Sequence, residues 1–350
     1  MQLFDSEGSR EIVKLCITRL RTLVQVDILN REIDDAVGRV QPHATRTPVL
    51  LSTSVRNGDA PAYLKCENLQ RTGSFKMRGA LNKILWLAAD VRERGIVAAS
   101  TGNHGAAIGE ALRLVGGRGT VVVSHTAAPY KVQRLRDTGL RVVVDDGDAL
   151  SAERTARAMA EREGLVYVSP YNDMQVVAGQ GTVGVELAEQ IPGLRYVFVP
   201  VGGGGLVSGV AAALKTRVPS VRVVACWPQH APSMYAAMRA GRAIDVAEQP
   251  TISDATAGGI ENDAITIALC AALIDDCVLV PEHAIVEAMR DVLLRDHLVI
   301  EGAAGVAVAG FRQYARTHSM DPEHKAAIIL CGGQVASATL THVLSLPLPA

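Results

Sequence analysis

The chain has 350 residues, of which 48% are hydrophobic, and its formal net charge is −1 at pH 7. This length favours two domains, and the near-zero charge disfavours nucleic acid or an anionic membrane as a partner. Aromatic residues make up only 4% of the chain, which disfavours a stacking platform for single-stranded nucleic acid. These limits favour a protein that acts on a small molecule.

The sequence predicts a cytoplasmic protein that does not span a membrane. No apolar run reaches the roughly 20 residues that a membrane-spanning helix needs. Charged residues of both signs precede the first apolar stretch, unlike the start of a secretory signal or a transit peptide. The cysteines form no C-x-x-C pair, which favours reduced thiols. They are Cys16, Cys66, Cys226, Cys270, Cys277 and Cys331.

Two helical patterns open the chain, and alternating strand and helix patterns follow. Glu11–Val24 is amphipathic, and Asp27 is typical of the N-cap of a second helix that ends at Val40. Predicted strands are Ile96–Ser100, Thr120–Ser124, Arg141–Asp145, Val166–Ser169, Tyr196–Pro200, Val221–Ala225, Cys277–Val280 and Ala326–Leu330. Predicted helices are Asn103–Val115, Lys131–Asp137, Ala149–Arg162, Gly181–Gln190, Leu206–Thr216, Glu282–Leu294 and Ala303–Tyr314. This alternation predicts an α/β fold of parallel sheets with helices on both faces.

A run of glycines follows the predicted strand Tyr196–Pro200 and precedes the helix that starts at Leu206. The run is Gly202, Gly203, Gly204 and Gly205. Consecutive glycines allow main-chain N–H groups to converge on an anion, and the helix N-terminus adds partial positive charge. The pattern predicts a phosphate site, with a tight strand–helix turn as the alternative.

A dinucleotide site is disfavoured at this glycine run. Ser208 stands where the third glycine of a dinucleotide fingerprint would lie. The next strand ends in Ala225-Cys226-Trp227, without an acidic residue to hold a ribose, and no Walker lysine follows the run. A single phosphate therefore fits this loop better.

A second loop joins the strand that begins at Ile96 to the helix that ends at Val115. Its residues are Ser100, Thr101, Gly102, Asn103, His104 and Gly105. Hydroxyl, amide and free N–H groups at a helix start suit a carboxylate. The alternatives are an ordinary Ser/Thr N-cap and, for His104, a core or capping role.

The third candidate is Lys76, within Ser74–Ala80. A lysine at the start of an apolar helix is usually a surface residue. Phe75 and the helix-start N–H groups disfavour its ammonium form, which suits an amine that must form an imine. A fourth piece is Cys331-Gly332-Gly333 at the end of a late strand, where the alternative is a buried structural thiol. Together these features imply a phosphate, an aldehyde for the lysine and a ring nitrogen that faces the thiol, and pyridoxal 5′-phosphate (PLP) meets each demand.

The chain resembles the PLP enzymes of the tryptophan-synthase-β fold, in the serine/threonine dehydratase branch. The likeness rests on Lys65–Gln70, Ser74–Ala80, Gly179–Thr182 and the loops described above, and it runs from about Asp27 to Val335. It implies two open, twisted, mostly parallel sheet domains with PLP in the cleft between them. The expected large domain comprises residues 1–92 and 172–350, and residues 93–171 form the smaller one. A homodimer is also expected.

The resemblance implies a role for each matching position. Lys76 would bind PLP covalently and act as the catalytic base. Phe75 would lie beside the ring, Asn103 would bond its 3′-oxygen, and Cys331 would face its nitrogen. The glycine run and Leu206 would hold the phosphate. The substrate carboxylate would be bound by Ser100, Thr101, Gly102, Asn103 and His104.

The thiol at position 331 has a chemical meaning. An aspartate there would keep the pyridine ring protonated, whereas a thiol, with an ordinary pKa of about 8.5, leaves the ring largely neutral. A weaker electron sink favours rapid loss of a β-leaving group. The predicted reaction is therefore the elimination of water and ammonia from a β-hydroxy-α-amino acid such as L-threonine or L-serine, which yields a 2-oxo acid.

Two features depart from the family pattern. Thr101 replaces the alanine of typical dehydratases and the serine of serine racemases, so it is a second candidate for catalysis. Trp227 and Ser233 stand where related enzymes carry the acidic ligands of a divalent cation, so no metal site is predicted. The Thr-Gly-Asn-His-Gly variant also resembles dehydratases associated with hydroxyectoine breakdown.

Three other functions remain open. A racemase of the same fold is one, and a β-replacement enzyme is less favoured, because such enzymes usually carry threonine where His104 stands. A PLP-binding or amino-acid-binding protein without turnover is the third, and the retention of Lys76 with all the loops argues against it. The sequence leaves the side chain and stereochemistry of the substrate undetermined.

Overall fold

Ten strands and thirteen α-helices form the part of the chain that the structure, a computed structural model, describes, namely residues 7–58, 60–147 and 149–345. The strands are β1 Val49–Asn57, β2 Ala60–Lys65, β3 Ile96–Ala99, β4 Gly119–Ser124, β5 Arg141–Asp145, β6 Val166–Tyr167, β7 Leu194–Pro200, β8 Arg222–Pro228, β9 Asp276–Val280 and β10 Lys325–Ile329. The helices are α1 Glu7–Val40, α2 Lys76–Trp86, α3 Ala89–Arg94, α4 Asn103–Val115, α5 Pro129–Asp137, α6 Ala149–Glu163, α7 Met174–Gln190, α8 Gly205–Arg217, α9 Ser233–Ala240, α10 Ile265–Leu273, α11 Glu282–Arg295, α12 Gly302–Thr317 and α13 Ser337–Ser345. A 3₁₀ turn covers Glu67–Leu69.

The strands form two sheets. The first has six strands in the order β1-β2-β10-β7-β8-β9, and the second has four in the order β5-β4-β3-β6. All neighbours are parallel except β1 and β2, which pair as an antiparallel hairpin. Parallel neighbours need crossover connections, and helices supply them throughout. The predicted α/β fold with two mostly parallel sheets is confirmed.

The hydrophobic core follows this division. The largest group of buried side chains surrounds the six-stranded sheet and includes Phe198, Trp227 and Phe311. Two smaller groups pack on the faces of the four-stranded sheet, around Ile108 on one face and Met159 on the other. All four strands of the second sheet come from residues 96–167, so segment 93–171 contains that entire sheet.

The N-terminal prediction was wrong in one respect. Instead of an amphipathic stretch followed by a new helix at Asp27, one helix runs without a break from Glu7 to Val40. Asp27 is an interior residue of it, and its carbonyl oxygen accepts a hydrogen bond from the Arg31 side chain. No glycine or proline stands between Val24 and Asp27, so this stretch contains no residue that would interrupt the helix. The predicted end at Val40 is confirmed.

Other element boundaries also moved. β6 ends at Tyr167 rather than at Ser169. The helix predicted from Gly181 begins seven residues earlier, at Met174, because the Asp173 side chain caps it by accepting from the N–H groups of Gln175 and Val176. A short polar turn before this cap concealed the start of the helix.

Four charged side chains lie buried beneath the start of α2. Arg78 bonds the Glu67 carboxylate through Nε at 2.8 Å and the Glu186 carboxylate through a terminal nitrogen at 2.7 Å. Lys65 also bonds Glu186. The two positive and two negative groups balance, as buried charges require. This cluster ties α2 to β2, the 3₁₀ turn and α7, and thereby holds the helix that begins at Lys76.

None of the helices between residues 7 and 345 combines the length and apolarity that a bilayer crossing requires.

Candidate active site

A cavity of about 320 Å³ lies where loops from the two sheets meet. The loops that follow β3, β7 and β10 reach it from the carboxyl ends of those strands, as expected for ligand sites in open parallel sheets. Every site residue predicted from the sequence lines this one cavity. They are Phe75, Lys76, Ser100, Thr101, Gly102, Asn103, His104, Gly202, Gly203, Gly204, Gly205, Leu206 and Cys331.

Lys76 is the first residue of α2, and its amine points into the cavity wall. Its Nζ donates to the backbone oxygen of Pro170 at 2.9 Å and lies 5.2 Å from the centre of the Phe75 ring. Burial lowers the pKa of Lys76 to about 8, against the opposing charges of Cys331 and Glu301. A buried amine with this pKa holds its proton weakly at neutral pH, which suits a nucleophile or a base.

The start of α2 is fixed to the end of β10. The Phe75 N–H donates to the Cys331 carbonyl at 3.0 Å, and Ser74 forms an isolated antiparallel bridge with Gly332. These contacts explain why two motifs more than 250 positions apart in the sequence occur together at this site: Lys76 and Cys331 line one cavity because their backbones are paired.

The glycine run forms a closely packed turn before α8. Gly204 has a φ of 83°, a conformation that favours glycine, and α8 begins at the next residue. A Cβ on Gly203 would lie 2.3 Å from the Tyr171 ring, so a side chain does not fit there. The loop therefore presents backbone N–H groups at a helix N-terminus, which is the arrangement that binds phosphate.

The Ser100–Gly105 loop leads into α4, which begins at Asn103. The Ser100 hydroxyl accepts from the Gly102 N–H at 3.2 Å, which shapes the turn. Both elements expected at a carboxylate site, hydroxyl groups and a helix start, are therefore present at the cavity.

His104 has a more restricted role than the sequence implied. Its Nε2 lies 2.9 Å from the carbonyl oxygen of Val168, so Nε2 must carry the hydrogen. Burial lowers the pKa of His104 to about 3, which keeps the ring neutral. Its other nitrogen, Nδ1, is then an acceptor without a partner within the described chain. The ring therefore cannot donate to a substrate carboxylate in this tautomer.

Glu301 is a cavity residue that the sequence analysis missed. It precedes α12, and its carboxylate accepts from Asn103 Nδ2 at 2.9 and 3.0 Å. Burial raises the pKa of Glu301 to about 7, and the Asn103 hydrogen bond opposes this effect. In the sequence it is an acidic residue at a helix start, a common stabilising feature that gave no reason to single it out.

Cys331 lies beside Glu301, deep in the cavity. Its Sγ is 4.0 Å from a Glu301 oxygen, and only 2% of the residue is exposed. Burial raises the pKa of the Cys331 thiol well above its ordinary value. The sulfur therefore carries its proton at neutral pH, as the sequence analysis assumed.

A comparison with models of protein families identifies the family of this chain. The family model described as pyridoxal-phosphate dependent enzyme matches residues 40–332, which is most of the chain. The chain belongs to this PLP-dependent enzyme family.

Similar proteins include threonine ammonia-lyases and serine racemases. An L-threonine ammonia-lyase of Thermotoga maritima is 40% identical over 284 residues, or 81% of this chain and 69% of that protein. A serine racemase of Oryza sativa is 35% identical over 318 residues, or 89% and 92%. The processed threonine deaminase isoform 2 of Solanum lycopersicum superposes with a TM-score of 0.84 at 31% identity, covering 91% of this chain and 92% of that one.

The residues around the cavity fit PLP. The glycine run offers backbone donors for a phosphate, and the Lys76 amine is available to an aldehyde. Three buried polar atoms near the cavity have no partner in the described residues, as a missing polar ligand would leave them: Ser74 Oγ, Asn103 Oδ1 and His104 Nδ1. The chain therefore has places for the phosphate and the aldehyde of PLP, together with unpaired polar atoms for its remaining groups.

The positions expected to carry metal ligands in related PLP enzymes hold other contacts here. Trp227 is fully buried, with its ring centre 5.6 Å from that of Tyr235. The Ser233 hydroxyl bonds the Glu248 carboxylate. In the ranges for which side chains are described, no three His, Cys, Asp or Glu residues converge as metal ligands would.

Proposed function

We propose that this PLP enzyme is an ammonia-lyase that converts a β-hydroxy-α-amino acid, such as L-threonine or L-serine, into a 2-oxo acid and ammonia. The proposal rests on one observation. The Lys76 amine and the protonated Cys331 thiol line the same cavity. A thiol at this place favours elimination over reactions that need a stronger electron sink. The similarity to threonine ammonia-lyases supports this choice.

Lys76 is the group that moves the proton. When bound, PLP would supply the electron-withdrawing group that makes the proton on Cα of the substrate acidic. The Lys76 amine then removes the proton from Cα, because its lowered pKa keeps part of it neutral at physiological pH. The Pro170 carbonyl, 2.9 Å from Nζ, accepts a hydrogen bond from the resulting ammonium and holds the proton at that atom.

The other cavity residues bind and orient. We infer that Ser100, Thr101 and the α4 N-terminus hold the substrate carboxylate, and that the glycine run and Leu206 hold the phosphate of PLP. Cys331 would retain its proton beside the ring nitrogen, and Phe75 would lie beside the ring. In the overall reaction the β-hydroxyl leaves as water, the enamine product gains a proton at its β-carbon, and hydrolysis of the resulting imine releases ammonia.

Amino-acid racemisation is the second candidate, supported by the similarity to serine racemases. Racemisation requires a second acid–base group on the face of Cα opposite Lys76. Thr101 is the residue that matches the racemase serine, but its β-branched side chain restricts χ1 and limits how freely the hydroxyl can turn toward Cα. We therefore infer that dehydration is the main activity.

We also infer that segment 93–171 is a separate domain and that the enzyme is a cytoplasmic homodimer. The containment of the whole four-stranded sheet within this segment supports the first inference. Five free cysteines among the described residues support a reducing compartment. Light scattering coupled to size-exclusion chromatography would measure the mass, and a single-chain mass of 37.0 kDa would contradict the dimer.

The decisive experiment is a release assay for 2-oxo acid and ammonia. The purified PLP-loaded enzyme would be given serine, threonine and 3-hydroxyaspartate in each stereochemistry, with alanine as the substrate that lacks a β-leaving group. We expect equal amounts of 2-oxo acid and ammonia from one hydroxy-amino acid and none from alanine. Accumulation of the opposite enantiomer without 2-oxo acid would support the racemase instead.

A further inference from the structure

Glu301 forms an unusually complete set of contacts for a residue outside the predicted site. Both carboxylate oxygens accept from Asn103 Nδ2, and Oε2 also accepts from the Gln334 N–H at 3.2 Å. Asn103 and Glu301 are 198 positions apart, one at the start of α4 and the other just before α12. The contact therefore joins the segment of the four-stranded sheet to the elements around the six-stranded sheet.

The space for this carboxylate is closely defined. Only 3% of Glu301 is exposed, and its N–H donates to the Gly332 carbonyl at 3.0 Å. A Cβ on Gly332 would lie 2.5 Å from Oε1, so this backbone leaves room for the carboxylate only because position 332 lacks a side chain. The backbone of Gly332, just after β10, and the side chain of Asn103 thus fix the position of Glu301.

The two ends of the Asn103 amide are unequal. An amide nitrogen only donates and an amide oxygen only accepts, so an ionised carboxylate selects the nitrogen. Here Nδ2 bonds Glu301, while Oδ1 is buried and has no partner in the described part of the chain. With an ionised Glu301, one N–H of the Asn103 amide is therefore bonded and its second N–H remains available to a ligand.

We propose that Glu301 is a positioning residue that sets the orientation of the Asn103 amide toward PLP. An ionised Glu301 accepts one N–H of Nδ2 and leaves the second N–H available to donate to PLP. A protonated Glu301 can instead donate its O–H to Oδ1, which turns the amide over. One proton taken from solvent thus changes the orientation of the amide at the cavity. The inference rests on the proposed bond between Asn103 and the 3′-oxygen of PLP, an atom that needs a donor when it is ionised.

Both protonation states occur near neutral pH. Burial raises the pKa of Glu301 to about 7, and the charge of Asp254 acts in the same direction. The hydrogen bonds from Asn103 and Gln334 and the charge of Lys76 oppose them. The other titratable neighbours, Cys331 and His104, are neutral at this pH, because burial holds the thiol protonated and the imidazole unprotonated. Glu301 and Lys76, with pKa values of about 7 and about 8, therefore both change charge near neutrality, and of the two Glu301 is the one that contacts the Asn103 amide.

Nuclear magnetic resonance of the full-length, PLP-loaded, ¹⁵N-labelled enzyme tests the coupling directly. The side-chain amide signals of Asn103 would be assigned by their loss in Asn103→Ala. We expect them to move between pH 5.5 and 9 with one midpoint, and to stop moving in Glu301→Gln, which cannot ionise. Immobile signals in the wild type, or an unchanged titration in Glu301→Gln, would overturn the proposal.

A double-mutant cycle on cofactor affinity provides a second measurement. The dissociation constant of PLP would be determined by equilibrium dialysis for Glu301→Ala, Asn103→Ala and the double variant. If Glu301 acts through Asn103, each single variant binds PLP about tenfold more weakly than the wild type. The double variant then binds PLP no more weakly than the single variant with the lower affinity. Losses that multiply would mean that Glu301 acts independently, against the proposal.

The matched control is Glu261→Gln. Glu261 bonds Ser169 and Asn172 and so joins the same two parts of the chain, but it does not line the cavity. We expect this variant to keep the Asn103 titration and the PLP affinity of the wild type. Failure of the proposed function would appear separately, as a wild-type enzyme that releases no ammonia, whereas failure of the present inference leaves that activity intact.

Discussion

The amine of Lys76 donates a hydrogen bond to the carbonyl oxygen of Pro170 across 2.9 Å. Pro170 lies at the end of segment 93–171, and Lys76 begins α2 beside the six-stranded sheet. The backbone of one part of the chain thus orients the reactive group supplied by the other. A carbonyl oxygen accepts but never removes a proton, so it holds the amine in place without competing for its role as a base.

Replacing this amine should abolish turnover. Lys76→Ala removes the amine that we propose binds PLP covalently and takes the proton from Cα, so we expect ammonia release to fall by at least about a thousandfold. The measurement is ammonia release with the best substrate of the panel. Lys215→Ala, at a lysine paired with Asp275 far from the cavity, is the control and should keep wild-type activity. Substantial release by Lys76→Ala would exclude this residue from catalysis.

We expect the buried Lys76 amine to lower the free energy of unfolding at neutral pH. Burial lowers its pKa from 10.5 to about 8, so below pH 8 the folded chain carries an ammonium that the unfolded chain solvates better. Lys76→Met should therefore raise the free energy of unfolding of the PLP-free protein at pH 7 by about 3 kcal/mol, since each pKa unit corresponds to about 1.4 kcal/mol. The gain should shrink between pH 8 and 10.5, as the unfolded lysine also loses its proton. Urea denaturation at pH 7 and pH 10.5 would show both effects, and an equal gain at the two values would contradict this origin.

We expect the rate of elimination to depend on the absence of charge on the Cys331 side chain. Cys331→Asp places an acid at the proposed position of the ring nitrogen, beside the buried carboxylate of Glu301, and should slow elimination by about tenfold or more. Cys331→Ser keeps a neutral side chain of similar size and should remain within a few-fold of the wild type. Rates of 2-oxo acid release and visible absorption spectra would be compared. Equal rates and spectra for the aspartate variant would mean that residue 331 does not face the ring.

Thr101 should be dispensable for elimination. Its hydroxyl is a poor acid–base group, so Thr101→Ala should retain more than about a third of the rate of 2-oxo acid release. Any trace of racemisation should fall further in this variant. Chiral chromatography of the recovered substrate measures the second effect. Rapid racemisation by the wild type that stops in Thr101→Ala would replace the proposed lyase by a racemase.

The sequence predicted those parts of the site that short, continuous segments of the chain form. The glycine run, the Ser100–Gly105 loop and Lys76 each combine residue types and element boundaries that carry their own chemical reason. Their meeting at one cavity followed from the placement of ligands at the carboxyl ends of parallel strands. Each of these features can be read from fewer than ten consecutive residues.

What the sequence concealed depends on contacts between distant residues. Glu301 acquires its importance from Asn103 and from the space beside Gly332, neither of which its own neighbours indicate. The restricted role of His104 follows from the Val168 carbonyl, which a motif cannot show. The unbroken α1 was missed for another reason: an aspartate suited to an N-cap was compatible with a helix interior as well.

The position of β10 has a consequence for how the protein is made. This strand comes last in the chain but lies inside the six-stranded sheet, between β2 and β7. Until residues 325–329 have left the ribosome, those two strands keep open edges, and the cavity lacks Cys331. Shortened products that stop before this point would expose unpaired strand edges and tend to aggregate. The chain must therefore be synthesised beyond residue 331 before it can either fold fully or enclose its cofactor.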